Sequence, residues 1–480
     1  MTNRRSFLKG VTGAGALSFL GSAGALSVLG NSPAFAADVS GYKALVCVFF
    51  FGGQDCHDTV LPFDQASYDR YGELRTGILA EYAQNPGGSS RDRDRLLELT
   101  PTNAAQFGTQ QFALPEELVE LKTLFDTGNA AIVGNVGPLI QPLTAQQFQA
   151  DVLPQPKRLF SHNDQQSTWM SSAPEGQVLG WGGRFSDTVI DAGANTEDFF
   201  TAITTAGNTV FLAGEKTTQY NLNTNGPPEV DGLKNFNSAL LGPAADSELA
   251  VKLLEDHYRS IGLTRTNLFE RDLATIADRA FSLNEQFNTA LDNAQALSTP
   301  FPGTGLGNQL RAIANTINIK SALGVGRQVF FAGIGGFDSH NSQATDLPNR
   351  QRQYSQAISA FFQATLEMGA ENDVTLFTAS DFGRALIENG NGTDHGWGSH
   401  HFVVGGAVNG NTVYGNIPPY DIGHPQDAGN GRLVPVVSVE QYAATMGKWF
   451  GLSDPELLTA LPALSNFITR DLGFMNGSSS

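Results

Sequence analysis

The chain is 480 residues long and carries 29 basic against 47 acidic side chains, a formal net charge of −18. That balance leaves no basic stripe to replace phosphate counterions, which excludes nucleic-acid binding. With 41% hydrophobic residues, 16% charged residues and 53 glycines, the composition is that of a large globular core with many tight loops, not of a disordered chain.

Asn3-Arg4-Arg5-Ser6-Phe7-Leu8-Lys9 is a twin-arginine motif, followed by a weakly hydrophobic Ala-, Gly- and Leu-rich stretch. Ala34-Phe35-Ala36 offers the small-x-small pattern of a cleavage site. Residues 1–36 are therefore expected to be a signal peptide engaged by the twin-arginine translocase and cut before Ala37. No later run reaches the ~18 apolar residues of a membrane span. The mature chain is thus expected to lack a transmembrane segment and to be a soluble periplasmic or secreted protein. The two cysteines, Cys47 and Cys56, are too few for a disulfide framework or a Cys-rich zinc site. A single bridge and two buried thiols both stay open.

Ala44–Phe51 is a continuous apolar run ending at Gly52-Gly53, the pattern of a strand buried on both faces. Similar runs follow at Ala130–Val136, Val210–Ala213, Gln328–Ile334, Val374–Ala379 and Phe402–Val408. Between them the spacing predicts helices over Leu114–Thr127, Ser247–Ser260, Leu268–Leu297, Gly307–Leu323 and Arg350–Met368, with Val439–Phe450 and Pro455–Ala460 closing the chain. Buried strands alternating with amphipathic helices mean a layered α/β domain. The stretch at about 141–243 is richer in Pro, Gly, Asn and Thr and reads as an irregular insertion in one domain spanning 37–480.

Chemistry gathers in loops that pair Asp with His. The first is Gly52-Gly53-Gln54-Asp55-Cys56-His57-Asp58, at the carboxyl end of a strand, where open α/β sheets place ligands. Asp55 reads either as a metal ligand or as the cap of a helix start. In Leu159-Phe160-Ser161-His162-Asn163-Asp164, Ser161 reads either as a nucleophile at a helix N-terminus or as an N-cap. Gly336-Phe337-Asp338-Ser339-His340 has the Asp-x-His spacing that, in extended backbone, sends both side chains to one side, as two ligands of one metal require. The densest group is Ser380-Asp381-Phe382-Gly383-Arg384 followed by Thr393-Asp394-His395-Gly396-Trp397 and His400-His401. Arg384 either holds an anionic substrate group or neutralises Asp381. At most one of His400 and His401, which alternate along a strand, faces the site.

These loops, in this order, resemble the exported family known as domain of unknown function 1501. The matching stretches are Phe51–Asp55, Leu159–Gln165, Gly336–His340, Ser380–Arg384, Thr393–Trp397, Gly405–Gly410 and Gln441–Phe450. That family is in turn similar to the alkaline-phosphatase and sulfatase superfamily, whose members hold two metals at the carboxyl edge of a large sheet. The resemblance implies a three-layer alkaline-phosphatase-like fold, a mostly parallel central sheet and helices on both faces. It also implies a metal set drawn from Asp55, Asp338, His340, Asp381, Asp394, His395 and His401, converging on one cleft. Asp381 and Asp394 compete for one ligand position, because the superfamily's second Asp follows its strand directly. Ser161, His162 and Arg384 are the catalytic candidates, and neither cysteine has the context of a formylglycine sulfatase.

The expected function is an exported hydrolase of phosphate or sulfate esters. A divalent metal (Zn, Mn or Ca) assists it, a small anionic ester is its substrate, and Ser161 or water attacks. The competing expectation is a non-catalytic binding or cell-surface assembly protein that retains the fold.

Overall fold

A computed structural model of the chain describes residues 36–85, 90–173, 175–227, 249–250, 252–259 and 266–477. The signal-peptide expectation for residues 1–36 thus falls outside the described residues except at Ala36. Residues Ala36–Ser480 form one compact unit. No described helix is long and apolar enough to cross a membrane.

In chain order the strands begin with β1 (Lys43–Phe50), β2 (Leu61–Pro62), β3 (Leu97–Leu99), β4 (Phe112–Leu114), β5 (Ala130–Gly137), β6 (Ala202–Thr204) and β7 (Tyr220–Asn221). They continue with β8 (Arg327–Ile334), β9 (Val374–Ser380), β10 (Arg384–Glu388), β11 (Thr393–His395), β12 (Ser399–Val404), β13 (Val413–Gly415) and β14 (Val437–Ser438). The main sheet is ordered β13-β5-β12-β9-β1-β8-β6-β7, with β14 also paired to β5. β1 runs parallel to β8 and β9, β8 to β6, and β5 to β13 and β14. Among the described strands of this sheet only β12 is reversed, antiparallel to both β5 and β9.

Alternation along β1 explains why a continuous apolar run is needed. Ala44, Val46, Val48 and Phe50 enter one core, with Leu121 and Phe125 of the helix Val119–Asp126, Leu310 and Ile313 of Gly305–Asn318, and Ile358 and Phe361 of Gln343–Glu367. Leu45, Cys47 and Phe49 enter the other, against Phe185 of Trp181–Asp191 and Met446 of Val439–Phe450. Each large side chain so buried contributes ~1.5–3 kcal/mol, and both faces of the sheet are covered. The protein is a three-layer α/β structure with a mostly parallel sheet and helices on both faces.

Two local expectations change, and one alternative left open is decided. Val210–Leu212 is a 3-10 turn, not a strand. Its Phe211 lies across the sheet, ringed by Trp181, Phe331 and Phe377, so its apolar character serves packing over the face and not pairing within it. The stretch at 141–243 is not merely an insertion: its described part supplies β6 and β7 to the main sheet and the helix Trp181–Asp191 to one face. Its polarity reflects short edge strands and Gly contacts, such as Gly183 pressed onto the backbone of Ala213. Finally, both cysteines are free and buried.

Candidate metal centre

Parallel strands discharge their loops at one edge, and β1, β8 and β9 do so side by side. Contact between the loops depends on Gly52, at φ +114°, where a Cβ would collide with the Asp338 backbone nitrogen. Only glycine allows that turn and that approach together.

Asp338 is the hub of the cluster. His162 Nε2 lies 3.5 Å from its Oδ2, while His340 Nε2 and His395 Nε2 each lie 3.2 Å from its Oδ1. One ligand atom from each of His162, Asp338 and His395 falls within 4.8 Å of the others, a spacing one metal ion can bridge. His340 joins at the edge, its Nε2 2.8 Å from His395 Nε2. Burial opposes the ionised Asp338 carboxylate, but the hydrogen bond and charge of Arg384 outweigh it and hold the pKa below the usual range.

The outer nitrogens of His162 and His395 are held by acceptors, and that of His340 faces one. His162 Nδ1 meets Asp381 Oδ2 at 2.7 Å, and that bond raises the His162 pKa against the pull of burial. His395 Nδ1 lies 2.8 Å from the Phe160 carbonyl, which can only accept, so Nδ1 carries the proton and Nε2 turns a lone pair inward. Burial lowers the His395 pKa and favours that neutral form. His340 Nδ1 faces Asp394 Oδ1 at 3.6 Å. An imidazole fixed at its far nitrogen by a carboxylate or carbonyl is the usual support for a metal-ligating histidine. Three imidazoles and one carboxylate suit Zn²⁺ or Mn²⁺ and suit Ca²⁺ poorly.

The remaining expected residues lie elsewhere or act otherwise. Asp381 and Asp394 both stand behind the histidines: Asp381 is fully buried and also accepts from Gly52 N and Gln166 Nε2, at 3.2 and 2.9 Å. Asp394 accepts from Asn389 at 2.9 Å, the main cause of its lowered pKa. Asp55 caps the 3-10 turn Cys56–Asp58, and Arg75 at 2.6 and 3.1 Å and Gln343 at 2.6 Å occupy its oxygens. It is the counter-ion of a buried arginine. His401 is buried in β12, edge-on to Trp169 at 5.0 Å and beside Tyr442 at 6.2 Å, on the core face away from the cluster.

Ser161 Oγ donates to Asp164 Oδ2 at 3.0 Å, and among the described residues no hydrogen bond ties it to Asp338 or Asp394. It makes no side-chain cap bond either. Arg384 pairs with Asp338 at 2.9 Å, not with Asp381, and its other donors go to Gly52 O, Thr393 Oγ1 and Thr393 O. It has no fork left for a substrate. Sequence reasoning missed the Phe160 carbonyl, Gln166, Asn389 and Arg75. Gln166 lay within reach, at one turn from His162 on the same helix face.

Three other histidines are buried and neutral. Burial lowers the pKa of His57 to about 3, of His400 to about 4 and of His401 to about 3. Unfolding restores the ordinary value of ~6.5, so the unfolded chain binds more protons across that window. Stability is then complete above about pH 6.5 and falls with acidification, by up to ~1.4 kcal/mol per pH unit for each histidine. Denaturant titrations at pH 7, 6, 5 and 4.5 check this; a midpoint that stays flat over that range refutes it.

No curated protein matches the chain. The solved structure titled as Ps i-CgsB in complex with k-i-k-neocarrahexaose is similar at 9% identity and TM-score 0.33, over 89% of this chain and 77% of its own. A 2-O GAG sulfatase is similar at 11% identity and TM-score 0.23, over 77% of this chain and 65% of its own. Likenesses this distant say nothing about the reaction. A family model described as "Protein of unknown function (DUF1501)" matches residues 42–465, most of the chain, and the protein therefore belongs to the DUF1501 family.

Proposed function

We propose that this protein is an exported, metal-dependent hydrolase of small anionic esters, of the phosphate or sulfate class, working at the Asp338 cluster. One observation carries the reading: three imidazoles turn Nε2 toward a single carboxylate, and each is braced or faced from behind by an acceptor. His162, Asp338 and His395 would hold the ion, with the more exposed His340 as a fourth ligand. Such an ion supplies Lewis acidity toward an ester oxygen and toward water. Asp381 and the Phe160 carbonyl keep two of the rings in the tautomer that leaves Nε2 free, and Arg384 pins Asp338 in place. The twin-arginine motif and the order of the Asp/His loops, which resembles that of the alkaline-phosphatase and sulfatase superfamily, support export and the ester class.

Water is the attacking group in this reading, because the Ser161 hydroxyl is committed to Asp164. Ser161→Ala is accordingly expected to leave turnover within about twofold of wild type, where loss of a covalent nucleophile removes orders of magnitude. The test is a screen of nitrophenyl phosphates and sulfates with the protein loaded with Zn²⁺, Mn²⁺ or Ca²⁺. Turnover that depends on Zn²⁺ or Mn²⁺ and survives Ser161→Ala supports the proposal. Metal retention without turnover of any ester favours a binding protein that keeps the centre.

A further inference from the structure

We propose that Arg432 grips the anionic head of the substrate at this centre, an inference that rests on the ester reading above. The arginine that sequence reasoning singled out, Arg384, is fully buried, with Nε, Nη1 and Nη2 all hydrogen-bonded within the protein. Arg432 differs. Its Nε donates to the backbone carbonyl of His395 at 2.7 Å, which roots it beside a ligand of the cluster. Among the described residues its Nη1 reaches only Gly429 O, at 3.5 Å, and its Nη2 only Asp394 Oδ2, at 3.8 Å. Neither is a good hydrogen bond, so the planar fork that matches two oxygens of a tetrahedral anion is held in position and nearly unused.

The support beneath Arg432 is rigid. Asp427 is buried and ties the loop through Gly423 N at 2.7 Å, Gly429 N at 2.7 Å and Gly431 N at 2.8 Å. Gly431 is packed against Leu386 and gives its carbonyl to His57 at 3.1 Å. The guanidinium lies 5.4 Å from the Phe160 ring, whose residue also holds His395. At 24% exposure its side chain is open enough to meet a ligand yet too confined to wander. Arg158 is a poorer candidate: it is 67% exposed and already pairs with Asp164. In a chain of net charge −18, an anion gains most from a cation fixed beside the cluster, and Arg432 is tied to the backbone of His395 there.

The test is calorimetric titration of the Zn²⁺- or Mn²⁺-loaded protein with inorganic phosphate and, separately, inorganic sulfate, at low ionic strength. Arg432→Gln is expected to weaken binding of the preferred anion at least tenfold. Arg432→Lys keeps the charge without the fork and is expected to recover only part of that loss, and Arg158→Gln to change binding less than twofold. Equal anion affinity in wild type and Arg432→Gln, or a metal-loaded wild type that binds neither anion, overturns the inference. Metal content measured on the same samples separates the two failures: a wild type that takes up no metal condemns the centre itself, not Arg432. Matched metal content in Arg432→Gln confirms that the variant is folded.

Discussion

Asp338→Ala is expected to abolish metal uptake, and with it any turnover that needs the metal. All three imidazoles of the cluster approach this carboxylate, at 3.5, 3.2 and 3.2 Å, so no other side chain can replace it as the common ligand. The substitution also strips the buried Arg384 of its one carboxylate partner among the described residues. A fully buried pair broken in this way costs ~3–5 kcal/mol; with Asp338 itself 46% exposed, water can reach the gap and about 1–2 kcal/mol is the expected loss. Asp338→Asn separates the effects, because its amide oxygen still accepts from Arg384 while the metal loses an anionic ligand. Metal content after dialysis and a thermal melt read both quantities. One equivalent of tightly held metal in Asp338→Ala would remove this residue from the centre.

Asp55→Ala is expected to do the reverse, lowering stability by ~3–5 kcal/mol while the protein that stays folded still binds metal. Both members of the Asp55–Arg75 pair are fully buried, so truncation leaves an uncompensated guanidinium in the interior. Burial opposes the Asp55 carboxylate, and the charge and hydrogen bonds of Arg75 more than offset it, holding the pKa below the ordinary range. Gln343 adds a link: it donates to Asp55 and accepts from Thr393, which in turn contacts Arg384. Some loosening of the centre should accompany the loss of stability. Urea denaturation gives the first quantity and metal titration of the cold, folded variant gives the second. Loss of metal without loss of stability would restore Asp55 to the ligand set.

The strands that position the site were readable because they are buried on two faces and so are dominated by apolar residues, with Asn135, Gln328 and Thr378 as hydrogen-bonded exceptions; β1, β5, β8 and β9 are such runs. Val210–Leu212 has the same composition and is no strand, since a short apolar run does not reveal whether it pairs or packs. The Asp- and His-bearing loops were readable as places. Their roles were not, because a ligand and the group that braces it are the same residue types. Which one Asp381 is depends on the 2.7 Å contact to His162, a residue more than two hundred positions away. Asp55 stayed open between ligand and cap for the same reason: it is the cap, and nothing near it in the chain announces that Arg75 folds onto it. For His401 the alternation of the strand left open which face it takes, and packing against Trp169 and Tyr442 decides it.

The segment before His162 is wound unusually tightly. Arg158 and Phe160 hold φ of +56° and +69°, left-handed backbone that costs of order 1–3 kcal/mol at each non-glycine position. This one segment ends in His162 and also offers the Phe160 carbonyl to His395, so it furnishes one arm of the centre and steadies a second. An ion clasped between those two rings would act as a fastener on a sprung flap. Letting go of the ion and letting the flap relax become one event, and the metal-free protein should present residues 158–162 to a protease far more readily than the loaded one.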